Sequence, residues 1–299
     1  MKIRIATFNT ENLFARYNFR EGRASLATDG FTINDLAFTL YGDSSKKITA
    51  QAIKEVNADI ICLQEVENIS VLERFNSRYL AKLKYKHRIL IDSHDPRFID
   101  VAFLSRYPIN NIITYRNLRN KKNTTWLFSR DCLEVEFKIN GNKLVLYGNH
   151  FKSMMGGRDN TKERRLEQVE KVAEIITEKW KLKNYDGNFI VLGDFNDYLD
   201  SNTSLSPFID HEGLVNTTGN MDEEQSWSHF WTGENEYRQL DYILISNSLS
   251  AINNTLPKIM RKGLPYRANK YDGPRFDDVG ENHPKASDHA PIYIDLEIT

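Results

Sequence analysis

Five apolar runs in this chain each carry, at one end, residues that can bind a metal or move a proton. Lys2–Phe8 leads into Asn9-Thr10-Glu11-Asn12, and Ala58–Leu63 into Gln64-Glu65. Leu144–Gly148 leads into Asn149-His150, and Phe189–Leu192 into Gly193-Asp194-Phe195-Asn196-Asp197. The run Ile292–Leu296 is preceded by Ser287-Asp288-His289. Gathered at one end of a sheet, these would form a pocket of carboxylates, carboxamides and imidazoles. That donor set suits a hard divalent cation, Mg2+ or Mn2+, which takes oxygen ligands and keeps several waters. Neither cysteine, Cys62 or Cys132, falls at these positions, which disfavours a soft metal. A hard cation points to phosphate ester chemistry, in which it polarises a phosphoryl oxygen and offsets developing charge. Neither a Gly-x-x-x-x-Gly-Lys-Ser/Thr loop nor a Gly-x-Ser-x-Gly elbow occurs, so neither a P-loop NTPase nor an α/β-hydrolase is supported.

Each piece alone has a plain structural explanation. Gly193-Asp194-Phe195-Asn196 is turn chemistry after a strand, Glu65 could be a solvated strand end, and His150 a satisfied structural histidine. Five such decorations at five strand ends are better explained by one shared site.

The elements that must position these residues follow from periodicity. Lys2–Phe8 alternates in polarity, the mark of a half-buried strand. The run ending at Glu65 is apolar throughout, as a strand buried on both faces is. Further strands are expected at His87–Ile91, Val101–Leu104, Cys132–Phe137 and Tyr242–Ile245, with Asn140-Gly141 as a hairpin turn. Ser44 or Ser45 offers an N-cap for a helix through Ala50, Ile53 and Val56. Ser70 and Glu73 form a capping box ahead of Leu72, Phe75 and Tyr79. The clearest helix spans about 161–183, with Asn160 as N-cap and Leu166, Val169, Val172 and Ile176 as its stripe. Nine or more strands interrupted by helices predict α/β (α+β) architecture with two sheets inside and helices outside. The polar stretch of about 15–46 is longer than ordinary connections, and with the segment 263–284 it could rim a cleft.

The chain has 299 residues, 40% hydrophobic, with 40 Lys plus Arg against 41 Asp plus Glu and a net charge of −1. This excludes disorder and excludes polyanion binding driven by overall charge. No apolar stretch reaches the ~18 residues that span a bilayer. The first residues lack the continuous apolar core of a signal peptide, so a cytoplasmic protein without membrane insertion is expected. A chain whose export signal had been removed would read the same way.

The segments Phe8-Asn9-Thr10-Glu11-Asn12, Leu63-Gln64-Glu65-Val66, Leu104-Ser105-Arg106-Tyr107-Pro108-Ile109, Asn149-His150-Phe151-Lys152-Ser153, Gly193-Asp194-Phe195-Asn196, Leu240-Asp241-Tyr242-Ile243 and Ser287-Asp288-His289-Ala290-Pro291 occur in this order. Together they resemble the motifs of the endonuclease/exonuclease/phosphatase superfamily, the pancreatic-deoxyribonuclease-like fold. The resemblance runs from residue 3 to residue 297. It implies one domain over 1–299, built as a four-layer α/β/β/α sandwich of two mixed sheets packed face to face.

By this resemblance Glu65 is the principal metal-binding glutamate, with Asn9, Glu11 and Asp288 lining the same pocket. Asp194 orients or deprotonates the attacking water, and Asn196 holds the scissile phosphate or the metal. His289 contacts a phosphate oxygen with Asp241 fixing its orientation, and His150 stabilises the transition state or assists the leaving group. Arg106, Lys152 and Arg164 are expected at substrate phosphates. Arg158 and Arg165 would extend a basic patch at the start of the long helix, with a solvated face as the alternative. Trp126, Trp227 and Trp231 could stack on bases or lipid, core packing being the commoner role.

Because the superfamily cleaves nucleic acid, inositol phosphates, sphingomyelin and small nucleotides, the fold does not fix the substrate. The first expectation is a monomeric Mg2+- or Mn2+-dependent nuclease acting on DNA. The alternative is a phosphatase or phosphodiesterase acting on phospholipid head groups, inositol phosphates or nucleotides. A non-catalytic module that kept the fold is the third.

Overall fold

A computed structural model describes residues 2–15 and 42–298. In chain order the strands are β1 (Lys2–Leu13), β2 (Ile60–Val66), β3 (His87–Leu90), β4 (Asp100–Ser105), β5 (Ile109–Thr114), β6 (Leu133–Ile139), β7 (Asn142–His150) and β8 (Asn188–Asp194). They continue as β9 (Leu214–Asn216), β10 (His229–Trp231), β11 (Glu236–Arg238), β12 (Asp241–Ser246), β13 (Lys258–Ile259) and β14 (Ile292–Glu297). The three longer helices are α1 (Asp43–Val56), α2 (Ile69–Tyr79) and α3 (Arg158–Trp180).

One sheet has the order β13-β14-β1-β2-β4-β3 and the other β5-β6-β7-β8-β12-β9, with β10 and β11 forming a separate ribbon. Both sheets are mixed: β1 runs parallel to β2 and β7 parallel to β8, while their other neighbours are antiparallel. The two-sided burial expected of β2 is what the structure shows. Ile60 and Cys62 point into a core shared with Phe137, Leu146 and Leu192 of the other sheet, whereas Ile61 and Leu63 pack beneath α1 and α2. Val145, Tyr147 and Val191 face outward onto Val169, Val172 and Ile176 of α3. The period-two alternation of each strand therefore builds three parallel layers of core. The expected α/β/β/α sandwich is the architecture observed.

Several local expectations shift. α1 begins at Asp43 after Gly42 in the left-handed region (φ 64°), so neither Ser44 nor Ser45 caps it. α2 is capped two residues early, Asn68 accepting from the Val71 amide at 3.0 Å, and Glu73 instead meets Arg88 at 2.9 Å. α3 starts after Gly157, and the Asn160 side chain donates to the Gly156 carbonyl at 2.9 Å rather than capping the helix. The Asn140-Gly141 turn is as expected, with φ 50° and 91°, the pair of positive values a two-residue hairpin needs. The segment 16–41 lies outside the described residues.

Register explains where the five polar termini meet. β1 and β2 are parallel, with Asn9 opposite Gln64, so both deliver their ends to one edge. β14 enters antiparallel, Ile292 opposite Thr7, which brings the preceding Ser287-Asp288-His289 to that edge. Across the other sheet, His150 stands opposite Asp194 and Asp194 opposite Asp241. Gly193 is required there: its φ is 140°, and a Cβ would lie 1.9 Å from the Asn149 carbonyl oxygen.

Candidate active site

Asp194 is the focus of the pocket. Its Oδ2 accepts from Asn9 Nδ2 at 2.9 Å and lies 3.5 Å from His150 Nε2 and 3.8 Å from His289 Nε2. Its Oδ1 accepts from the Asn196 amide at 2.9 Å. Asn9 is itself fixed, since its Oδ1 accepts from the Glu11 amide at 3.0 Å. Burial pushes the Asp194 carboxyl up to about 7, against the opposing pull of His289.

His289 is held from behind. Its Nδ1 lies 2.8 Å from Asp241 Oδ2, the oxygen that also accepts from Ser228 Oγ at 2.7 Å. Burial opposes charging this ring, yet Asp241, Asp194 and Asp288 together hold its pKa well above that of a free histidine. His150 differs: burial, reinforced by Arg130, His289 and Arg97, drives its pKa well down and keeps it neutral. The two imidazoles across Asp194 thus carry different charges, the arrangement that separates acid from base roles.

Glu65 sits at φ 63°, with Glu11 at 46°, Asn12 at 64° and Asn196 at 53°. Side-chain-bearing residues in the left-handed region cost free energy and concentrate at functional sites. Here they turn the strand ends inward. Glu65 Oε2 accepts from the Asn12 amide at 3.0 Å, while Oε1 faces His150 Nε2 at 4.0 Å. Glu11 meets Lys285 Nζ at 2.9 Å, and Lys46 Nζ donates to the Thr10 and Glu11 carbonyls at 2.6 Å each. Burial, then the like charge of Asp288, pushes Glu11 up to about 6, and burial pulls Lys46 down to about 8.

The residues present fit a divalent cation. Glu11, Glu65, Asp194 and Asp288 bring four carboxylates to this pocket, Glu11 and Asp194 raised chiefly by burial and Asp288 lowered, against burial, by His229, His289 and Lys285. Asp288 lies with His229 and His289 close enough to bracket an ion, and Glu65 faces the same pocket beside His150. Asp194, Asp241 and His289 also lie close enough to bracket an ion. The 2.8 Å Asp241–His289 bond instead assigns that trio to orienting the imidazole.

Of the expected phosphate contacts, Lys152 comes to the pocket's flank beside Arg97, Arg130 and Arg164; burial, then these like charges, lowers its pKa. Arg164 lies further out, its guanidinium donating to the Trp126 carbonyl at 3.3 Å. Arg106 is not brought to the site. β4 is antiparallel to β2, with Ser105 opposite Ile60, so Arg106 emerges at the far end of the sheet from Glu65. There it binds Asp59 at 2.9 Å, the Leu83 carbonyl at 2.9 Å and the Asn57 side chain. The basic patch expected of Arg158 and Arg165 is corrected too, because Asp197 takes both at 2.8 and 3.0 Å and Arg165 is fully buried. Trp227 is buried against Tyr237, as core packing requires, whereas Trp231 is exposed beneath Arg238.

Sequence reasoning missed Lys46, Lys285, Ser228, His229 and Arg130. His229 pairs with His289 across an isolated bridge, its ring 4.6 Å away, and its Nε2 is 3.8 Å from Asp288. Arg130 binds Asp95 at 3.0 Å and the Phe151 carbonyl at 2.9 Å. A signal existed in Trp227-Ser228-His229-Phe230, where two polar residues interrupt an aromatic run. Nothing local marks Lys46 in the Lys46-Lys47 pair.

Two mixed sheets covered by helices, with carboxylates, carboxamides and a His–Asp pair at one edge, define the class of two-layer-sheet phosphoester hydrolases that work with a divalent metal. The chain belongs to the Endonuclease/Exonuclease/phosphatase family, whose profile matches residues 4–298, and is a metal-dependent hydrolase of phosphate esters. Among solved structures, the human Nocturnin catalytic domain with bound sulfate has a TM-score of 0.64 at 15% identity, covering 100% of this chain and 95% of that one. D. rerio TDP2 complexed with single-strand DNA product has a TM-score of 0.61 at 16% identity, covering 99% of each chain. An endonuclease/exonuclease/phosphatase from Beutenbergia cavernae has a TM-score of 0.64 at 15% identity, covering 99% of this chain and 72% of that one. At such identities these likenesses establish the fold. No curated protein matches the chain. Among the described residues no helix is long and apolar enough to cross a membrane.

Proposed function

We propose that this protein is a Mg2+- or Mn2+-dependent nuclease that hydrolyses DNA phosphodiester bonds by in-line attack of water, acting as a monomer and as one domain over 1–299. The observation that carries this reading is the convergence of Asn9, His150 and His289 on one oxygen of Asp194, with Asp241 behind His289. Glu65 and Asp288 would hold the cation, which would supply Lewis-acid polarisation of a phosphoryl oxygen. Asp194, whose proton affinity burial has raised, accepts the proton of the attacking water. Charged His289, kept in place by Asp241, faces the equatorial oxygens as their charge builds. Neutral His150 presents Nε2 to the pocket and hydrogen-bonds the phosphate without adding a charge. Asn196, braced by its 3.2 Å bond to the Phe151 carbonyl, positions the phosphate.

A nucleic acid is favoured as substrate by Lys152 on the pocket's flank, with Arg164 further out and Arg97 shared with Asp95 at 3.2 Å, since successive cations suit a backbone of successive phosphates. The solved relative that holds a single-strand DNA product has this fold. The test is hydrolysis of plasmid, single-stranded DNA, RNA, inositol phosphates and sphingomyelin, each with Mg2+, with Mn2+ and with chelator. Metal-dependent DNA cleavage is expected. Turnover of lipid or inositol phosphate without nucleic acid would overturn the substrate, and activity surviving the chelator would overturn the metal.

A further inference from the structure

A second cavity, of about 720 Å³, lies beside the catalytic pocket and shares its backbone. Trp227 lines it while the next residues, Ser228 and His229, belong to the catalytic pocket. Gln239 lines it two residues before Asp241, and Arg238, also in its wall, stands opposite His229 in the β10–β11 ribbon. Its volume lies within the roughly 300–1,000 Å³ of small-molecule sites.

The wall chemistry selects the occupant. Each cation in it is already paired: Arg158 with Asp197 at 2.8 Å, Lys270 with Glu224 at 3.2 Å, and Arg238 with Glu236. Such a wall offers no unpaired cation to a phosphate or an inositol polyphosphate. Among the described residues Leu199 and Met221 are its aliphatic members, so it is also a poor host for an acyl chain. What remains is two half-exposed tyrosines, Tyr198 and Tyr237, with amides and the carboxylates of Asp200, Glu223 and Glu224. Tyr198 lies beneath the Arg158 guanidinium at 4.8 Å, and Tyr237 meets buried Trp227 edge to face at 4.9 Å. Asn202, Asn216 and Gln239 add donors and acceptors, Gln239 being steadied by its 2.7 Å bond to Thr218. Tyrosine rings edged by amide and carboxylate acceptors match a nucleobase and its exocyclic amino group, and base–aromatic stacking contributes about 1–3 kcal/mol per base.

We infer that this cavity receives a nucleobase of the substrate while the adjoining phosphate occupies the Asp194 pocket. The inference rests on the nuclease reading. It assigns Tyr198 and Gln239 to substrate selection, outside the residues that act on phosphorus.

The experiment compares two single-stranded deoxyoligonucleotides of equal length in Mg2+, one carrying bases throughout and one built from abasic spacers. A third arm titrates deoxyadenosine monophosphate against tryptophan fluorescence, with Trp227 in the cavity wall as reporter. The base-bearing strand should show a kcat/KM at least about tenfold higher, on the scale of one stacked base. Tyr198→Ala and Gln239→Ala should each remove most of that advantage through KM, while cleavage of the abasic strand is unchanged. Equal cleavage of both strands by the native protein would overturn the base pocket and keep the nuclease. Nucleotide binding lost in both variants, with no cleavage of either strand, would keep the base pocket and overturn the nuclease. Variants that slow both strands equally would show a structural role and overturn the assignment. Neither cleavage nor binding would overturn both readings.

Discussion

His289 Nδ1 and Asp241 Oδ2 lie 2.8 Å apart although 48 residues separate them in the chain. Ser228 Oγ donates to the same carboxylate oxygen, so one acceptor organises two segments around the imidazole. The pair works as a unit. Asp241→Asn and His289→Ala should each lower kcat by at least about a hundredfold. The double variant should be little worse than the more damaging single one, because groups acting together are not additive. Steady-state kinetics on DNA in saturating Mg2+ measures this. Additive losses would show that Asp241 acts other than through His289.

Asp194→Asn keeps the shape of the side chain but removes the proton acceptor. Turnover should fall by about a hundredfold or more while the melting temperature holds or rises, since a buried carboxylate is relieved. Kinetics and thermal melting on one preparation check both halves. A mild kinetic effect would move the base elsewhere.

Arg106 and Arg165 separate structural from functional arginines. Arg106→Ala should leave kcat/KM on DNA within about twofold, because its partners Asp59, Leu83 and Asn57 lie at the far end of the sheet; its half-buried ion pair, still open to solvent, contributes about 1 kcal/mol. Arg165→Ala removes one of the two cations on buried Asp197, leaving Arg158 as its partner, and should destabilise by about 1.5–3 kcal/mol, read by denaturant unfolding. A large activity loss in folded Arg106→Ala would return that residue to the substrate.

The buried carboxyl of Asp100 should contribute stability that is lost as pH rises from about 4 to 8. Burial pushes the Asp100 carboxyl up to about 8, whereas it titrates near 3.9 in an unfolded chain, so the folded protein holds an extra proton across that window. Asp131, raised to about 6 mainly by burial, adds to the lower part of the slope. Asp100→Asn should flatten the dependence and leave the variant more stable than the native chain at pH 8. Melting temperatures of both proteins at pH 5 and pH 8 decide it, and a variant whose slope matches the native one would refute the assignment.

Much of the fold was legible in local patterns. Period-two alternation in β1, the doubly apolar β2 and the Asn140-Gly141 turn each reflect short-range rules that the tertiary structure leaves intact. Helix starts were less so: Asn68 and Gly157 displaced the expected caps because a cap is set by where the incoming chain turns. The residues of the candidate site were legible as a donor set because each sits at a strand end within a short motif. Lys46 and Lys285 were not, since their placement depends on α1 and the segment before β14 meeting over Glu11.

The sequence by itself determined which side chains terminate which strands, and hence the donor set available for a phosphate and a divalent cation. The tertiary structure decided which of them meet. Parallel pairing of β1 with β2 and of β7 with β8, and antiparallel entry of β12 and β14, carried Asn9, Glu65, His150, Asp194, Asp241 and His289 to one edge. The antiparallel course of β4 carried Arg106 to the other edge. Strand direction is a property of pairing between distant segments, and no local residue pattern encodes it. The same holds for charge: the near-neutral total concealed an acidic pocket beside a cationic flank, because a sum over the chain does not record where charges are placed.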